Sequence, residues 1–231
     1  MIWYFLVVFM EELQKINIIF EDNHLLVVEK PINMPVCEDN SHDIDLLNLL
    51  KLYIKNKYNK PGNVYLGLVH RLDRPVGGVM VFAKTSKAAS RLSKQVSEHK
   101  LNKTYVAVVC GKIPESGNYL DYLVKDTKKN HSYVTDKDHG KESRLSFKRL
   151  EYKNNVSLVE IYLETGRSHQ IRVQFSSRGF PLVGDAKYNK NHDGKTNVAL
   201  FAKELSFEHP ISKDILTFEV DIPNRYPFNL F

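Results

Sequence analysis

Leu66–Leu92 reads LGLVHRLDRPVGGVMVFAKTSKAASRL. Apolar runs at Leu66–Val69 and Val79–Ala83 flank a short charged segment, and a helical pattern follows directly, so this stretch predicts strand, loop, strand and helix. Asp73 lies in the loop between two arginines. Because neighbouring positive charge favours the ionised form of a carboxylate, Asp73 is a candidate nucleophile or base.

The composition of the chain indicates a globular protein with a basic surface. Of its 231 residues 42% are hydrophobic, and 33 Lys and Arg outnumber 27 Asp and Glu, giving a net charge of +6. This excess favours a polyanionic partner, with nucleic acid as the first expectation and a membrane surface as the second. Cys37 and Cys110 have no disulfide or metal spacing, which favours a reducing cytoplasm.

The N-terminal run Met1–Met10 is apolar and could suggest a targeting segment. It lacks a positively charged start and a cleavage site, and it is far shorter than the roughly 20 apolar residues of a spanning helix. We therefore expect a soluble protein with no membrane span. The run itself is expected to be a short buried strand, or the product of a start codon upstream of the true one.

The rest of the chain alternates strand and helix patterns and has no repeats or long linkers. We predict strands at Ile16–Phe20, Leu25–Glu29, Thr104–Cys110, Ser143–Tyr152, Val156–Glu164, Val198–Ala202, Leu205–Glu208 and Ile215–Val220. We predict helices at Asp45–Tyr58, Ser86–Glu98 and Arg167–Ser177, and an exposed hairpin or loop at Tyr122–Asp138. The expected class is α+β, with a mixed, mainly antiparallel central sheet in two lobes flanked by helices and loops. Residues 1–231 are expected to form a single domain, in which 1–22 are an N-terminal extension with the first strands.

Cofactor motifs are absent from the sequence. It has no dinucleotide-binding glycine fingerprint and no phosphate-cradling loop, and its histidines have no metal-ligand spacing. The remaining enzyme class is metal-independent acid–base or nucleophilic chemistry on nucleic acid. In the last predicted helix, His169 and Arg172 lie three residues apart and are expected to share a polar face, while the other face is buried.

His70–Asp73, followed by Gly78 and the pair Ala83-Lys84, resembles the catalytic signature of the RluA-type pseudouridine synthases. Members of this family isomerise uridine to pseudouridine in ribosomal and transfer RNA. Further blocks are similar to family motifs and occur in the family order: Glu29–Pro31, Lys103–Tyr105, Gly166–Val173, Pro181–Asp185, and Leu200–Ala202 through His209-Pro210. The resemblance extends from about Asn23 to Pro210, and it implies the pseudouridine synthase catalytic fold and an isomerase that needs no cofactor, metal or nucleotide.

The resemblance also implies roles for three catalytic residues. Asp73 would attack the ribose at C1′ or abstract a ribose proton, and the sequence leaves both routes open. Arg172 would pair with Asp73 and keep the carboxylate ionised. Tyr105 would stack on the uracil ring or take up the C5 proton.

Four further residues are expected to bind RNA or the target uridine. The uridine must leave its stack, which costs a few kcal/mol, and Arg71 would occupy the vacated space. Leu72 and Leu200 would contact the flipped uridine, with Leu200 closing an apolar floor. His169 would orient backbone or RNA, whereas His70 is interpreted as structural.

Less specific roles are open for the same residues. Asp73 could be a structural carboxylate neutralised by Arg71 or Arg74, Tyr105 a core aromatic, and Arg172 a surface residue of a helix. At the level of function, the main alternative is a non-catalytic RNA-binding or ribosome-assembly protein that retains the synthase fold. An N-glycosidic hydrolase of free nucleosides is the other, although it would not need a basic surface.

The sequence departs from the family pattern at the candidate site. Val76-Gly77 stands where Thr-Ser is usual, which removes two hydroxyls and is expected to add a flexible residue at Gly77. Phe201 stands where histidine is common. The residues before Asn23 are too few for the accessory RNA-binding domain of many members, so substrate selection is expected to lie in the catalytic domain of a monomer.

Overall fold

The structure is a computed structural model, and it describes residues 11–231. The strand expected at Met1–Met10 lies outside these residues. Residues 11–14 are helical, and the longer helices are α1 (Leu46–Lys57), α2 (Ser86–Ser97) and α3 (Gln170–Ser176). The strands are β1 (Asn17–Glu21), β2 (Leu25–Lys30), β3 (Gly67–Leu68), β4 (Gly77–Ala83), β5 (Asn102–Cys110), β6 (Ser116–Asp126), β7 (His131–Thr135), β8 (Lys141–Lys153), β9 (Val156–Leu163), β10 (Leu200–Glu208) and β11 (Ile215–Glu219).

The described residues form two compact units. The first contains residues 11–101 with Leu205–Val220, and the second contains Asn102–Glu204 with Asp221–Phe231. Strand β10 therefore contributes its first five residues to the second unit and its last four to the first. The mainly antiparallel strands and the flanking helices confirm the predicted α+β class.

Buried strands form the centre of the first unit. Strand β2 pairs antiparallel with β1 and with β4, and the short β3 pairs with the C-terminal end of β4. Leu25–Val28 and the whole of β4 are buried, because side chains cover both faces of the sheet. The two strands predicted at Ile16–Phe20 and Leu25–Glu29 are confirmed and form a hairpin, and the register of β2 on β4 sets Lys30 opposite Gly78.

The two helices of the first unit begin at polar caps. The Asp45 carboxylate accepts from the Asn48 amide at 3.0 Å, and the Thr85 hydroxyl accepts from the Ala88 amide at 3.2 Å. Such caps satisfy backbone amides that lack a partner within the helix. The apolar residues of each helix face the core, which confirms both helix predictions to within one residue at each end.

Antiparallel pairings dominate the second unit, whose strand order is β10-β5-β9-β8-β6-β7. Strands β8 and β9 form a long hairpin, which agrees with the strands predicted at Ser143–Tyr152 and Val156–Glu164. Asn154 and Asn155 both have positive φ, 52° and 59°. Two consecutive positive φ angles match the right-handed twist of the flanking strands, and asparagine tolerates them well.

Two strand predictions for the second unit need correction. Strand β6 begins at Ser116, six residues before the hairpin expected from Tyr122. The sequence does not indicate this start, because few residues of the strand are buried and their apolar pattern is weak. The strands expected at 198–202 and 205–208 are one strand, β10. Lys203 and Glu204 continue it, and their side chains bind Glu160 of β9 and Thr104 of β5, at 3.3 and 3.2 Å.

Candidate active site

Asp73 lies in a tight turn between β3 and β4 of the first unit. The Val76 amide donates to the Asp73 carbonyl at 2.9 Å, and the residue is half-buried. Val76 is 2% exposed, and Gly77 is already the first residue of β4. A Cβ at position 77 would lie 3.0 Å from the Lys30 carbonyl oxygen, so the small residue permits a close backbone approach. The expectation of a flexible Gly77 is therefore wrong.

Lys30 stabilises the turn through hydrogen bonds from its side chain, which is completely buried. Its Nζ donates to the carbonyl oxygens of Pro31, Arg74 and Val76 at 2.9, 3.1 and 2.8 Å. Burial lowers the pKa of Lys30 to about 7, while the negative charge of Asp73 acts in the opposite direction. The lysine thus fixes the backbone on both sides of Pro75 and places an ammonium group in the electrostatic field of Asp73.

The arginines beside Asp73 differ in their surroundings. Arg74 donates to the Asn33 carbonyl at 3.1 Å and to the Ser41 hydroxyl at 2.9 Å, and it forms an ion pair with Asp43. These bonds direct Arg74 toward the loop that precedes α1, which argues against its being the neutralising partner of Asp73. Arg71 is exposed, as expected of a residue that contacts RNA.

The other two residues of the signature are oriented into the first unit. Leu72 is 7% exposed. His70 accepts through Nε2 from the Val81 amide of β4 at 3.1 Å, which supports its structural interpretation. Together these contacts anchor the segment before Asp73 to β4.

In the second unit, Arg172 of α3 is buried and is bound by Asp185. Its Nε donates to Oδ2 at 2.7 Å and its Nη2 donates to Oδ1 at 2.6 Å, and the two side chains are 4% and 0% exposed. Two parallel charge-assisted bonds fix the plane of the guanidinium as well as its position. The alternative of Arg172 as a surface helix residue is therefore wrong.

Tyr188 connects Arg172 to His169. Its ring lies 5.2 Å from the Arg172 guanidinium carbon, and its hydroxyl is 2.7 Å from His169 Nδ1. The hydroxyl also accepts from the Ser132 amide at 2.8 Å. Burial raises the pKa of Tyr188, so the phenol is protonated at neutral pH.

His169 itself precedes α3 and has a left-handed backbone with φ 55°. The helix therefore begins at Gln170 and not at Arg167, and the expected helical face shared by His169 and Arg172 does not exist. The two side chains are instead brought together by Tyr188. A left-handed conformation of a non-glycine residue is uncommon and concentrates at functional sites.

Helix α3 is buried on all sides, so the prediction of one exposed polar face is also wrong. The amide groups of its glutamines donate to neighbouring backbone carbonyls. Gln170 donates to the Arg144 carbonyl at 3.0 Å, and Gln174 donates to the Ser143 carbonyl at 3.1 Å. Since buried polar groups require such partners, these bonds attach the helix that carries Arg172 to β8.

Tyr105 and Leu200 lie in strands of the second unit. Tyr105 is 7% exposed, opposite Ile161 of β9, and Leu200 is the first residue of β10 and 4% exposed. Strands β5 and β10 are neighbours in the sheet. Both residues are thus on rigid elements, which suits residues that position a base.

The structure therefore brings the predicted residues together in two groups. Arg71, Leu72 and Asp73 lie in one segment of the first unit, and His169 and Arg172 lie on either side of Tyr188 in the second. The assembly of Asp73 with Arg172 and Tyr105 stays a prediction.

Sequence reasoning missed the supporting residues Lys30, Asp185 and Tyr188. Two signals could have found Lys30 and Asp185: a lysine at the end of a strand that begins with four apolar residues, and a carboxylate within reach of a helix arginine in the Pro181–Asp185 block. The role of Tyr188 depends on tertiary contacts that no local pattern indicates.

Residues 11–231 contain neither a metal site nor a membrane-spanning helix. No group of three or more His, Cys, Asp or Glu side chains in this part of the chain is arranged to hold a metal ion. None of the helices described is long and apolar enough to cross a membrane.

Comparison with known proteins agrees with the site. A family model for RNA pseudouridylate synthase matches residues 24–177. The ribosomal large subunit pseudouridine synthase D of Zymomonas mobilis is 34% identical over 220 residues, which cover 90% of this chain and 69% of that protein. The uncharacterized RNA pseudouridine synthase YlyB of Bacillus subtilis is 35% identical over 210 residues, which cover 90% and 69%.

Solved structures share the fold. Human RNA pseudouridylate synthase domain containing 4 superimposes with a TM-score of 0.77 at 21% identity, covering 94% of this chain and 92% of that one. The residues that match the family model include the catalytic signature and helix α3. This match confirms the resemblance found in the sequence. The chain belongs to the RNA pseudouridylate synthase family, whose members are isomerases that act on RNA.

Proposed function

We propose that this chain isomerises specific uridines to pseudouridine in ribosomal or transfer RNA, with Asp73 as its nucleophile or base. The observation that carries the proposal is the Asp73 turn, whose backbone is fixed by three hydrogen bonds from a completely buried lysine. A catalytic carboxylate needs such fixed geometry, because a misplacement of about 1 Å can reduce the rate about a hundredfold. A surface turn without this task would not require a buried ammonium group.

The reaction needs no change of oxidation state. The bond between N1 of the uracil and C1′ of the ribose breaks, the base rotates, and C5 bonds to C1′. C5 loses its proton and N1 gains one, so atoms and charge balance without a cofactor. We therefore propose a reaction that depends on neither metal nor nucleotide.

Asp73 would act in one of two ways. As a nucleophile its carboxylate attacks C1′ and is displaced when C5 bonds to C1′. As a base it removes a ribose proton and returns it after the base has rotated. Both routes require an ionised carboxylate, and we propose Arg172, fixed by Asp185, as the cation that stabilises it.

The remaining predicted residues would form the binding site of the flipped uridine. Tyr105 would stack on the uracil or take up the C5 proton, and Leu72 and Leu200 would supply apolar contacts. Arg71 would enter the space that the uridine leaves in the RNA, and His169 would orient the RNA backbone.

The relatives support ribosomal RNA as the substrate. The proteins from Zymomonas mobilis and Nitrosomonas europaea are named as synthases of the large ribosomal subunit. The chain's net charge of +6 suits such a polyanion. We also propose that the protein works in the cytoplasm, since its two cysteines have no disulfide spacing. We propose that it is a monomer, since the sequence pattern suggests no further apolar face for a subunit contact.

The test is to map pseudouridines in ribosomal and transfer RNA from cells with and without the gene. We expect at least one uridine of the large-subunit RNA to lose its modification in cells without the gene, and the purified chain to restore it in unmodified RNA. If no uridine changes in either RNA pool, the protein is an RNA-binding relative without this activity. If incubation with the purified protein releases free uracil, it is a hydrolase.

A further inference from the structure

Aromatic rings of the second unit form a continuous series from the surface to Arg172. We call Tyr133, His131, Tyr188 and His169 the aromatic track. The first two rings are stacked, with centroids 6.3 Å apart and planes at 29°. The centroids of His131 and Tyr188 are 4.4 Å apart, and those of Tyr188 and His169 are 5.6 Å apart. The track thus joins hairpin β6–β7 to the proposed catalytic arginine.

Exposure increases along the track from its inner to its outer end. His169 is 8% exposed, His131 and Tyr188 are half-buried, and Tyr133 is 46% exposed. An aromatic cluster that only fills a core buries its rings, as Phe147 does. The outer end of the track instead presents a large ring to solvent, where it can bind a planar ligand.

Lysines lie at the end of strand β7 where His131 begins it. Lys128 and Lys129 are exposed on the turn before β7, and the Lys187 Nζ donates to the carbonyl of Asn130 in that turn at 2.7 Å. Lys125 is exposed on β6 but pairs with Ser132, so it lies on the opposite face of the hairpin from His131 and Tyr133. Asp126, the last residue of β6, pairs with His131, and its carboxylate accepts from the amides of Lys128 and Lys129 at 2.9 and 3.0 Å. Asp136 and Asp138 lie beyond the opposite end of β7.

We propose that the aromatic track is a stacking site for an unpaired base of the RNA substrate, close to the uridine that reacts. The inference rests on the proposed function, in that RNA is the ligand. Exposed aromatic rings beside lysines are the combination that binds single-stranded nucleic acid, because each base has a π-face and each nucleotide a phosphate.

The site selects unpaired RNA for a physical reason. In a duplex the faces of each base are covered by its neighbours, so only a base that has left its stack can lie on the ring of Tyr133. A flipped uridine leaves such neighbours exposed on either side. Stacking one of them would recover part of the energy that unstacking requires and would guide the RNA toward Arg172.

The experiment measures binding of two RNA probes to the full chain. The first is a single strand of about 10 nucleotides that contains only adenosine and cytidine, so that no isomerisation can occur, and the second is the same strand in a duplex with a complementary DNA strand, which contains no uridine either. We expect Tyr133→Leu to weaken binding of the single strand about tenfold, which corresponds to about 1.4 kcal/mol, and to leave duplex binding unchanged. Tyr133→Phe should restore single-strand binding, since it retains the ring.

The matched control is Tyr152→Leu. Tyr152 is 40% exposed in the same unit and has the Lys112 ammonium 5.5 Å from its ring centroid, but it is not part of the track. Its replacement should leave binding of both probes unchanged. The dependence of log Kd on log salt should be the same for Tyr133→Leu and the unmodified chain, because no phosphate contact is removed.

Three results would overturn the inference: unchanged single-strand binding in Tyr133→Leu, an equal loss of duplex binding, or an equal loss in Tyr152→Leu. The proposed function fails separately, when the chain forms no pseudouridine in ribosomal or transfer RNA. Binding of a uridine-free probe does not depend on that reaction, so either proposal can fail while the other stands.

Discussion

Arg172 is the residue on which the second half of the site depends. A buried guanidinium without a partner is unstable, and Asp185 satisfies two of its N–H groups with both oxygens of one carboxylate. The same carboxylate accepts from the backbone amides of Lys187 and Tyr188 at 3.0 and 3.2 Å. Asp185 therefore fixes both Arg172 and the backbone that carries Tyr188. Replacing Asp185 would remove the hydrogen bonds to both at once.

We predict that Asp185→Asn lowers the free energy of unfolding by about 3 kcal/mol, because it leaves the Arg172 charge buried without its carboxylate. Urea denaturation of the purified chain measures this change. Glu142→Gln is the control, because its ion pair with Arg144 at 2.9 Å is exposed and contributes about 1 kcal/mol or less. Equal losses for the two variants would contradict a structural role of the buried pair.

Lys30 is the corresponding residue in the first half of the site. Its pKa falls from the ordinary value of 10.5 to about 7 on folding, chiefly through burial. Between these two values the unfolded chain binds a proton at Lys30 that the folded chain does not, so the lysine makes stability rise with pH in this range. Below about pH 7 both states carry the proton, and the dependence ends.

We predict that the stability difference between the unmodified chain and Lys30→Met increases with pH. From about pH 7 to pH 9 the unmodified chain should gain on the order of 2 kcal/mol relative to the variant, which has no titrating group at position 30. Urea denaturation at both pH values gives the difference. Lys87→Met, which replaces an exposed lysine, should show no such gain, and a flat difference for Lys30→Met would show that the lysine titrates normally.

Among the elements, the loop after α3 has the most demanding geometry. Gly184 has φ 73°, and a Cβ there would lie 2.4 Å from the Asn197 carbonyl oxygen. Only glycine fits both the backbone angle and this contact, and the next residue is Asp185. The loop thus packs closely against the backbone of residues 196–197 directly before Asp185, which binds Arg172.

We predict that Gly184→Ala destabilises the chain more than Gly194→Ala does. Gly194 has nearly the same φ, 72°, but no atom within 4 Å of its Cβ position, so its replacement costs only the backbone term of about 1 kcal/mol. The contact at Gly184 should add about 1–3 kcal/mol, and thermal denaturation of the two variants compares them directly. Equal melting temperatures would mean that the loop adjusts without strain.

The elements also separate what local sequence predicts from what it does not. Helices α1 and α2 have one apolar face and a polar cap, and both were predicted closely. The residues of helix α3 are buried, although several of them are polar and therefore suggest an exposed face. The start of the helix at Gln170 follows from the left-handed backbone of His169, which the sequence does not indicate. Strand β10 continues through Lys203 and Glu204, and no pattern along the chain reveals the bonds of their side chains to other strands.

Across the whole molecule, sequence motifs named more candidate site residues than periodicity did. Periodicity alone left Asp73 as one carboxylate in a loop, whereas the order of the family blocks selected Tyr105 and Arg172 from distant segments. Lys30 and Tyr188 act through contacts across the fold, with Arg74 and Val76 for the lysine and with Ser132, His169 and Arg172 for the tyrosine. Such contacts appear only when the chain is folded.

The central claim is that Asp73 carries out the isomerisation, and release of tritium from C5 of uridine tests it most directly. The C5 proton leaves only when C5 bonds to C1′, so ribosomal RNA labelled at this position reports the reaction itself. We predict release by the purified chain without metal or nucleotide, a loss on the order of 10³ or more in Asp73→Asn, and full activity in Asp39→Asn, which alters an exposed carboxylate near the same turn. Undiminished tritium release by Asp73→Asn would contradict the account.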